Sequence, residues 1–217
     1  MIRRFYQNHR ATIEKYDQFL LNNPVLERGL VVAPIIVTCN TLGNACALSI
    51  AFAFITLLAV ALTFFIPRKK IPYTLRVIVN AILASLLFIP AVLLLQRFFP
   101  ESIFNLGIYL PLLVTNSLIV QKSESRYHQE KFSVMLLQLL AAAAGFALAA
   151  CLVGGFREAF GKGTLMGRPL KDLSFTIPAL SLPFAGFLIV GFLAAGLQKL
   201  RNFLRRPVPK KEDDRHE

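Results

Sequence analysis

Five long stretches of this chain carry no acidic or basic residue: 29–67, 77–96, 102–121, 132–156 and 173–198. A helix crosses the hydrocarbon core of a bilayer with about 20 mostly apolar residues. Four of the stretches hold one such span each. The first, 39 residues long, has room for two, and the cluster Asn40-Thr41-Leu42-Gly43-Asn44 supplies the turn that divides it. The pattern predicts six spans, over 24–39, 45–66, 73–95, 103–121, 132–154 and 178–200. A soluble all-α bundle is the competing fold, but 217 residues would then have to cover five charge-free faces with a few short loops. Composition points the same way. The chain is 55% hydrophobic and 17% charged, against about 45–50% and about 25% in soluble domains.

The charges that exist are sorted by side. With six spans both termini share a side, and 19 of the 24 Lys and Arg residues fall there, leaving only Arg97, Arg157, Lys162, Arg168 and Lys171 opposite. Cytoplasmic loops carry the excess of Lys and Arg, so both termini are expected in the cytoplasm of a bacterial cell membrane. The net charge of +12 is thereby explained by topology and by attraction to anionic lipid, not by nucleic acid. Residues 1–23 carry Phe5, Ile13, Tyr16 and Phe19 at helical spacing between charges, the pattern of an amphipathic segment on the cytoplasmic membrane surface. No apolar core or cleavage site of a signal peptide precedes residue 24. Asn23-Pro24 supplies a helix cap and a helix-starting proline. Residues 24–203 form the predicted transmembrane domain, and 204–217 a charged cytoplasmic tail.

An internal repeat is hidden in the apolar sequence. Residues 29–40, GLVVAPIIVTCN, align with 106–117, LGIYLPLLVTNS, sharing P-[IL]-[IL]-V-T at an offset of 77. That offset spans three helices, so the second copy enters the membrane from the opposite side. The expected architecture is all-α, with two inverted three-helix repeats (about 24–100 and 101–203) and helices 1 and 4 interrupted at Pro34 and Pro111. Proline removes a helical hydrogen bond, and freed backbone groups survive in a membrane only where protein or water surrounds them. Pro34, Thr38, Asn40, Pro111, Thr115 and Asn116 are therefore the candidate ion-path residues. The plainer alternative is that the prolines are kinks and the hydroxyls bond back to their own helices.

Other features are less specific. Ala141…Gly145 and Gly191…Ala195 have the small-xxx-small spacing of close helix contacts, and Pro90 is expected to kink span 3. No Asp, Glu, Lys, Arg or His falls within the charge-free stretches that form the cores of the predicted spans, which argues against a secondary transporter working alone. No catalytic triad, carboxylate pair or phosphate loop is present. Arg157, Glu158, Lys162 and Arg168, in the loop predicted after span 5, read as solvated surface or a subunit contact. Cys39, Cys46 and Cys151 have no zinc-site spacing and read as packing residues.

The segments NNPVLERGLVVAPII, IPYTLRVIVNAI, FNLGIYLPLLVTNSLIV and FREAFGKGTL resemble consecutive motifs of the E-type membrane subunit of Rnf complexes. They are also similar to the related D-type and E-type subunits of Na⁺-pumping NADH:quinone reductase. The resemblance covers about residues 22–203. It implies six helices in two inverted halves, with helices 1 and 4 broken. It implies pairing with a homologous A-type membrane subunit and other complex subunits, and electron transfer coupled to Na⁺ or H⁺ movement. It also implies a [2Fe–2S] cluster shared with that partner, two cysteine ligands coming from each member of the pair. This sequence departs from the family at those ligands. The position before the helix-1 proline is Ala33, and the one after V-T-N is Ser117. Ser117 and Cys39 are the nearest substitutes, and no metal or other cofactor is expected here. The function implied is a membrane subunit of an Rnf-like, ion-translocating electron-transport complex, not catalytic alone. The alternative is a cluster-free relative working as a small-solute or ion transporter or channel.

Overall fold

A computed structural model describes residues 23, 25–27, 29–65, 73–115, 132–170 and 175–205. Residues 1–22 of the predicted amphipathic segment, the 67–72 loop, Asn116, Ser117 and the tail beyond Arg205 lie outside the described residues.

The described chain is almost entirely helical. In order it forms α1 (Val32–Thr38), α2 (Leu42–Phe64), α3 (Tyr73–Phe98) and α4 (Pro100–Leu106). Two 3₁₀ turns follow at Gly107–Tyr109 and Pro111–Thr115. Then come α5 (Phe132–Lys162), a hairpin of β1 (Thr164–Leu165) and β2 (Arg168–Pro169), a 3₁₀ turn at Pro178–Ser181, and α6 (Pro183–Arg205). Four helices, α2, α3, α5 and α6, are long and apolar enough to cross a membrane. They correspond to predicted spans 2, 3, 5 and 6.

Spans 1 and 4 differ from expectation. Span 1 reduces to the seven-residue α1. It is preceded by a turn in which Asn23 Oδ1 accepts from the N–H groups of Val25 and Leu26. The chain then reaches α1 through Val31, a β-branched residue at φ 58, a backbone conformation held only where the surroundings impose it. Span 4 begins earlier than expected, as α4, and passes into 3₁₀ turns before residue 116. The prolines do not interrupt helices from within. Pro34 is the third residue of α1, where the missing N–H is one of those left unpaired in any first turn. Pro111 opens its 3₁₀ turn. Pro90 lies inside α3, which continues through it to Phe98.

The core is the α2–α5 pair. Phe52 and Phe146 stack with ring centroids 3.9 Å apart, among buried alanines such as Ala45, Ala51, Ala142 and Ala149. Small residues let backbones approach where lipid offers no hydrophobic drive for association. Hydroxyls at buried positions are satisfied locally: Ser49 and Thr63 each donate to the carbonyl four residues back. The outer faces are apolar instead. On α3, Leu75, Ile78, Ile82, Leu86, Ile89 and Leu93 form one exposed stripe at helical spacing, and α6 exposes Phe184, Phe187, Leu188 and Phe192. A soluble monomer rarely carries such continuous apolar surface.

Candidate functional site at the helix break

The chain between α1 and α2 is three residues long, Cys39 to Thr41, and leaves two helix ends facing one another. One offers unpaired carbonyls, the other unpaired N–H groups. Two consecutive residues of α5 serve these opposite ends. Arg157 is fully buried. Its Nη1 donates to Ile36 O at 2.8 Å and Cys39 O at 3.0 Å. Its Nε and Nη2 donate to Leu180 O at 3.0 Å and Ser181 O at 2.8 Å. Glu158, 2% exposed, accepts from the N–H of Leu42 at 2.7 Å with Oε2. Its Oε1 accepts from Gly167 N at 3.0 Å and Thr164 Oγ1 at 3.3 Å. A cation thus sits at carbonyl ends and an anion at the start of α2, each where the helix dipole favours it.

Glycines allow this closeness. A methyl group at Gly154 would stand 2.8 Å from Thr41 O, one at Gly186 2.6 Å from Ile36 O, and one at Gly161 2.9 Å from Ser181 Oγ. The hairpin is tied in through Glu158. Its two-residue loop, Met166-Gly167, has positive φ at both positions, the conformation that matches hairpin twist.

These contacts correct two readings of the sequence. Arg157 and Glu158 are not solvated loop residues: α5 runs to Lys162, about two turns beyond the predicted end, and carries both into the interior. Ionisable groups therefore do occur within a span-length helix. The charge-free stretch ends at Phe156 because charge begins there, not because the helix does. The missed signal was spacing. Gly154, Arg157, Glu158 and Gly161 lie at i, i+3, i+4 and i+7, one helix face, and all four are buried.

The candidates from the repeat are placed unequally. Pro34 and Thr38 are buried at the break. The Thr38 hydroxyl donates to Pro34 O at 2.7 Å, the plainer of the two roles weighed for it. Asn40 accepts from Asn44 Nδ2 at 2.9 Å, and the same amide donates to Thr38 O at 3.3 Å, lacing the two sides of the break together. In the second copy Pro111 and Thr115 are exposed, and the Thr115 hydroxyl turns back to Leu112 O at 3.4 Å. Ala33 is exposed. Cys39 is fully buried, while Cys46 and Cys151 lie across the α2–α5 contact with sulfurs 4.0 Å apart. Nothing in the local pattern signalled that pairing, since 105 residues separate them. Among the described residues no group of three or more His, Cys, Asp or Glu side chains is placed to hold a metal ion. Ala141…Gly145 packs inward, whereas Gly191 meets nothing within 4 Å. A cavity of about 580 Å³ opens beside the break, between the α3–α4 corner and the end of α5.

Span-length apolar helices, apolar outer faces and buried ionic caps at a broken helix define a multi-pass α-helical membrane protein. The family model described as "Rnf-Nqr subunit, membrane protein" matches residues 14–196, and the chain belongs to that family. It is 28% identical over 202 residues to the E-type member of the ion-translocating oxidoreductase complex of Shewanella oneidensis, covering 87% of each chain. It is 30% identical over 150 residues to the corresponding E-type protein of Haemophilus ducreyi, covering 69% of this chain and 65% of that one. It is 28% identical over 184 residues to the D-type member of the Na(+)-translocating NADH-quinone reductase of Pseudoalteromonas translucida, covering 81% of this chain and 86% of that one.

Proposed function

We propose that this chain is a membrane subunit of an Rnf-type complex that couples electron transport to ion translocation. Family membership over residues 14–196 carries the proposal. The break clamped by Arg157 and Glu158 supports it, since a fixed polar interruption between span-length helices is a means of giving ions or electrons a path through lipid. In the full topology the α1 segment and the α4–3₁₀ segment are the two interrupted elements of inverted halves. Both termini face the cytoplasm, and the 157–171 region faces the opposite side. The partners are a homologous A-type membrane subunit and the redox subunits of the complex. Affinity purification of the tagged chain in mild detergent tests this. Redox-carrying and membrane subunits are expected in stoichiometric amounts, and a chain that elutes alone contradicts the reading.

We propose that this chain supplies no ligand to the family's shared [2Fe–2S] cluster, because among the described residues the donors near the family's ligand positions do not fit it. Thiolates are the usual ligands of such clusters. Ala33 is at the surface but has no donor atom, and Cys39 has sulfur but is fully buried, out of reach of a partner. The purified chain is expected to hold no stoichiometric iron or labile sulfide. Iron retained by the wild type and lost in Cys39→Ala would contradict this.

A further inference from the structure

Cys46 and Cys151 stand 105 residues apart in the chain, yet their sulfurs lie 4.0 Å apart across the α2–α5 seam. The seam is antiparallel and regular. A methyl group at Gly155 would stand 3.8 Å from Leu42 Cδ1, and one at Gly154 2.8 Å from Ala45 Cβ. Further along, Phe52 stacks on Phe146. The two cysteines form the rung between these contacts. Small buried residues flank them, Ala45 and Ala47 on α2 and Ala149, Ala150 and Gly154 on α5. A disulfide needs Cα atoms within about 7 Å and sulfurs about 2.05 Å apart. Small-residue packing brings the backbones close, and rotation of the two side chains between rotamers is left to close the sulfurs. Neither thiol is sealed in. Both are half-buried, at an edge of the seam where Ile50, one turn from Cys46, and Leu152, beside Cys151, are exposed. Cys39, the third thiol, is fully buried.

We infer that Cys46 and Cys151 are a dithiol–disulfide site, a reversible covalent link between α2 and α5 about one helical turn from the break. Its co-reactant is a small apolar disulfide, since the edge where the thiols open presents Ile50 and Leu152 and a charged reagent is poorly solvated there. One cysteine, as thiolate, attacks a sulfur of the oxidant and expels half of it. The second thiolate attacks the mixed disulfide, forms the Cys46–Cys151 bond and expels the other half. Each departing half takes up one of the two cysteine protons. Two protein thiols and one external disulfide thus become one protein disulfide and two external thiols, and no further reagent is needed. The link acts on the break through its neighbours. Gly154, three residues after Cys151, packs on Thr41 O, and Glu158 caps Leu42 at the start of α2. Oxidation therefore pins α5 to the first turns of α2, whereas the reduced seam is held by packing alone. In the topology proposed above, this end of the seam lies on the non-cytoplasmic side, where disulfides persist. The chemistry of the pair does not depend on the subunit assignment.

The test uses the purified full-length chain in detergent, first reduced and then treated with dithiodipyridine, an uncharged aromatic disulfide whose halves absorb once released. The Cys39→Ala variant keeps only the pair. It is expected to release two thiopyridones per chain, to lose two hydrogens in mass without gaining a pyridyl group, and to stay monomeric on a non-reducing gel. Proteolysis should then give one peptide joining Cys46 to Cys151. The thermal-unfolding midpoint should rise on oxidation and return on reduction with a phosphine. The double variant Cys39→Ala/Cys46→Ser should instead retain one pyridyl group, at Cys151. If Cys39→Ala fails to fold, peptide mapping of the oxidised wild type reads the same link. Two stable pyridyl groups, no reaction at either thiol, a link through Cys39 or between chains, or a midpoint lowered by the link would each overturn the inference. These readouts need no ion, iron or other subunit, so their failure leaves the subunit assignment standing.

Discussion

Arg157 shows what one residue can hold together. Its guanidinium presents donors in a fixed fork, and here four carbonyls from two separate segments take them up. A lysine at this position offers a point charge that cannot reach both segments. An unpaired buried acceptor costs about 1–3 kcal/mol. Arg157→Met is therefore expected to destabilise the chain by roughly 3 kcal/mol or more, with Arg157→Lys recovering only part of the loss. Unfolding by SDS titration in mixed micelles reads both, and equal stability of the three proteins would contradict the clamp. At this scale the sequence was only half legible. The Arg-Glu pair was visible, but its burial depended on α5 continuing past Phe156. Hydropathy stops reporting a helix where charges begin, whereas the i, i+3, i+4, i+7 spacing from Gly154 to Gly161 does not.

Among the elements, the long helices were the most legible and the short ones the least. Spans 2, 3, 5 and 6 were marked by the absence of charge and stand close to their predicted places. The α1 and α4 segments are held by tertiary contacts, which no local pattern encodes. The two copies of P-[IL]-[IL]-V-T make the point: one is a seven-residue helix starting at Val32, the other a 3₁₀ turn starting at Pro111. Close packing separates glycines that composition cannot. Gly154→Ala and Gly186→Ala each push a methyl group onto backbone of the break, and overpacking of this kind costs about 1–3 kcal/mol. Gly191→Ala meets open space and gains up to about 1 kcal/mol of helix propensity. Midpoints of thermal unfolding should fall for the first two and hold or rise for the third. A drop at Gly191 matching the others would show that packing at the break is not the cause.

For the whole molecule, the distribution of Lys and Arg carries the topology. Reporter fusions at residue 217 and in the 67–72 loop are expected to report cytoplasm, and a fusion near Gly163 the opposite side. An outside C-terminus would refute six spans with an even count. The coupling itself is read most directly by electron-donor-driven ion uptake into inverted membrane vesicles from cells with and without this chain. Uptake should be lost without the chain and restored when it is supplied from a plasmid. Uptake unchanged by its deletion, in vesicles where donor oxidation still runs at the normal rate, would contradict a role for this protein in coupling electron transport to ion movement.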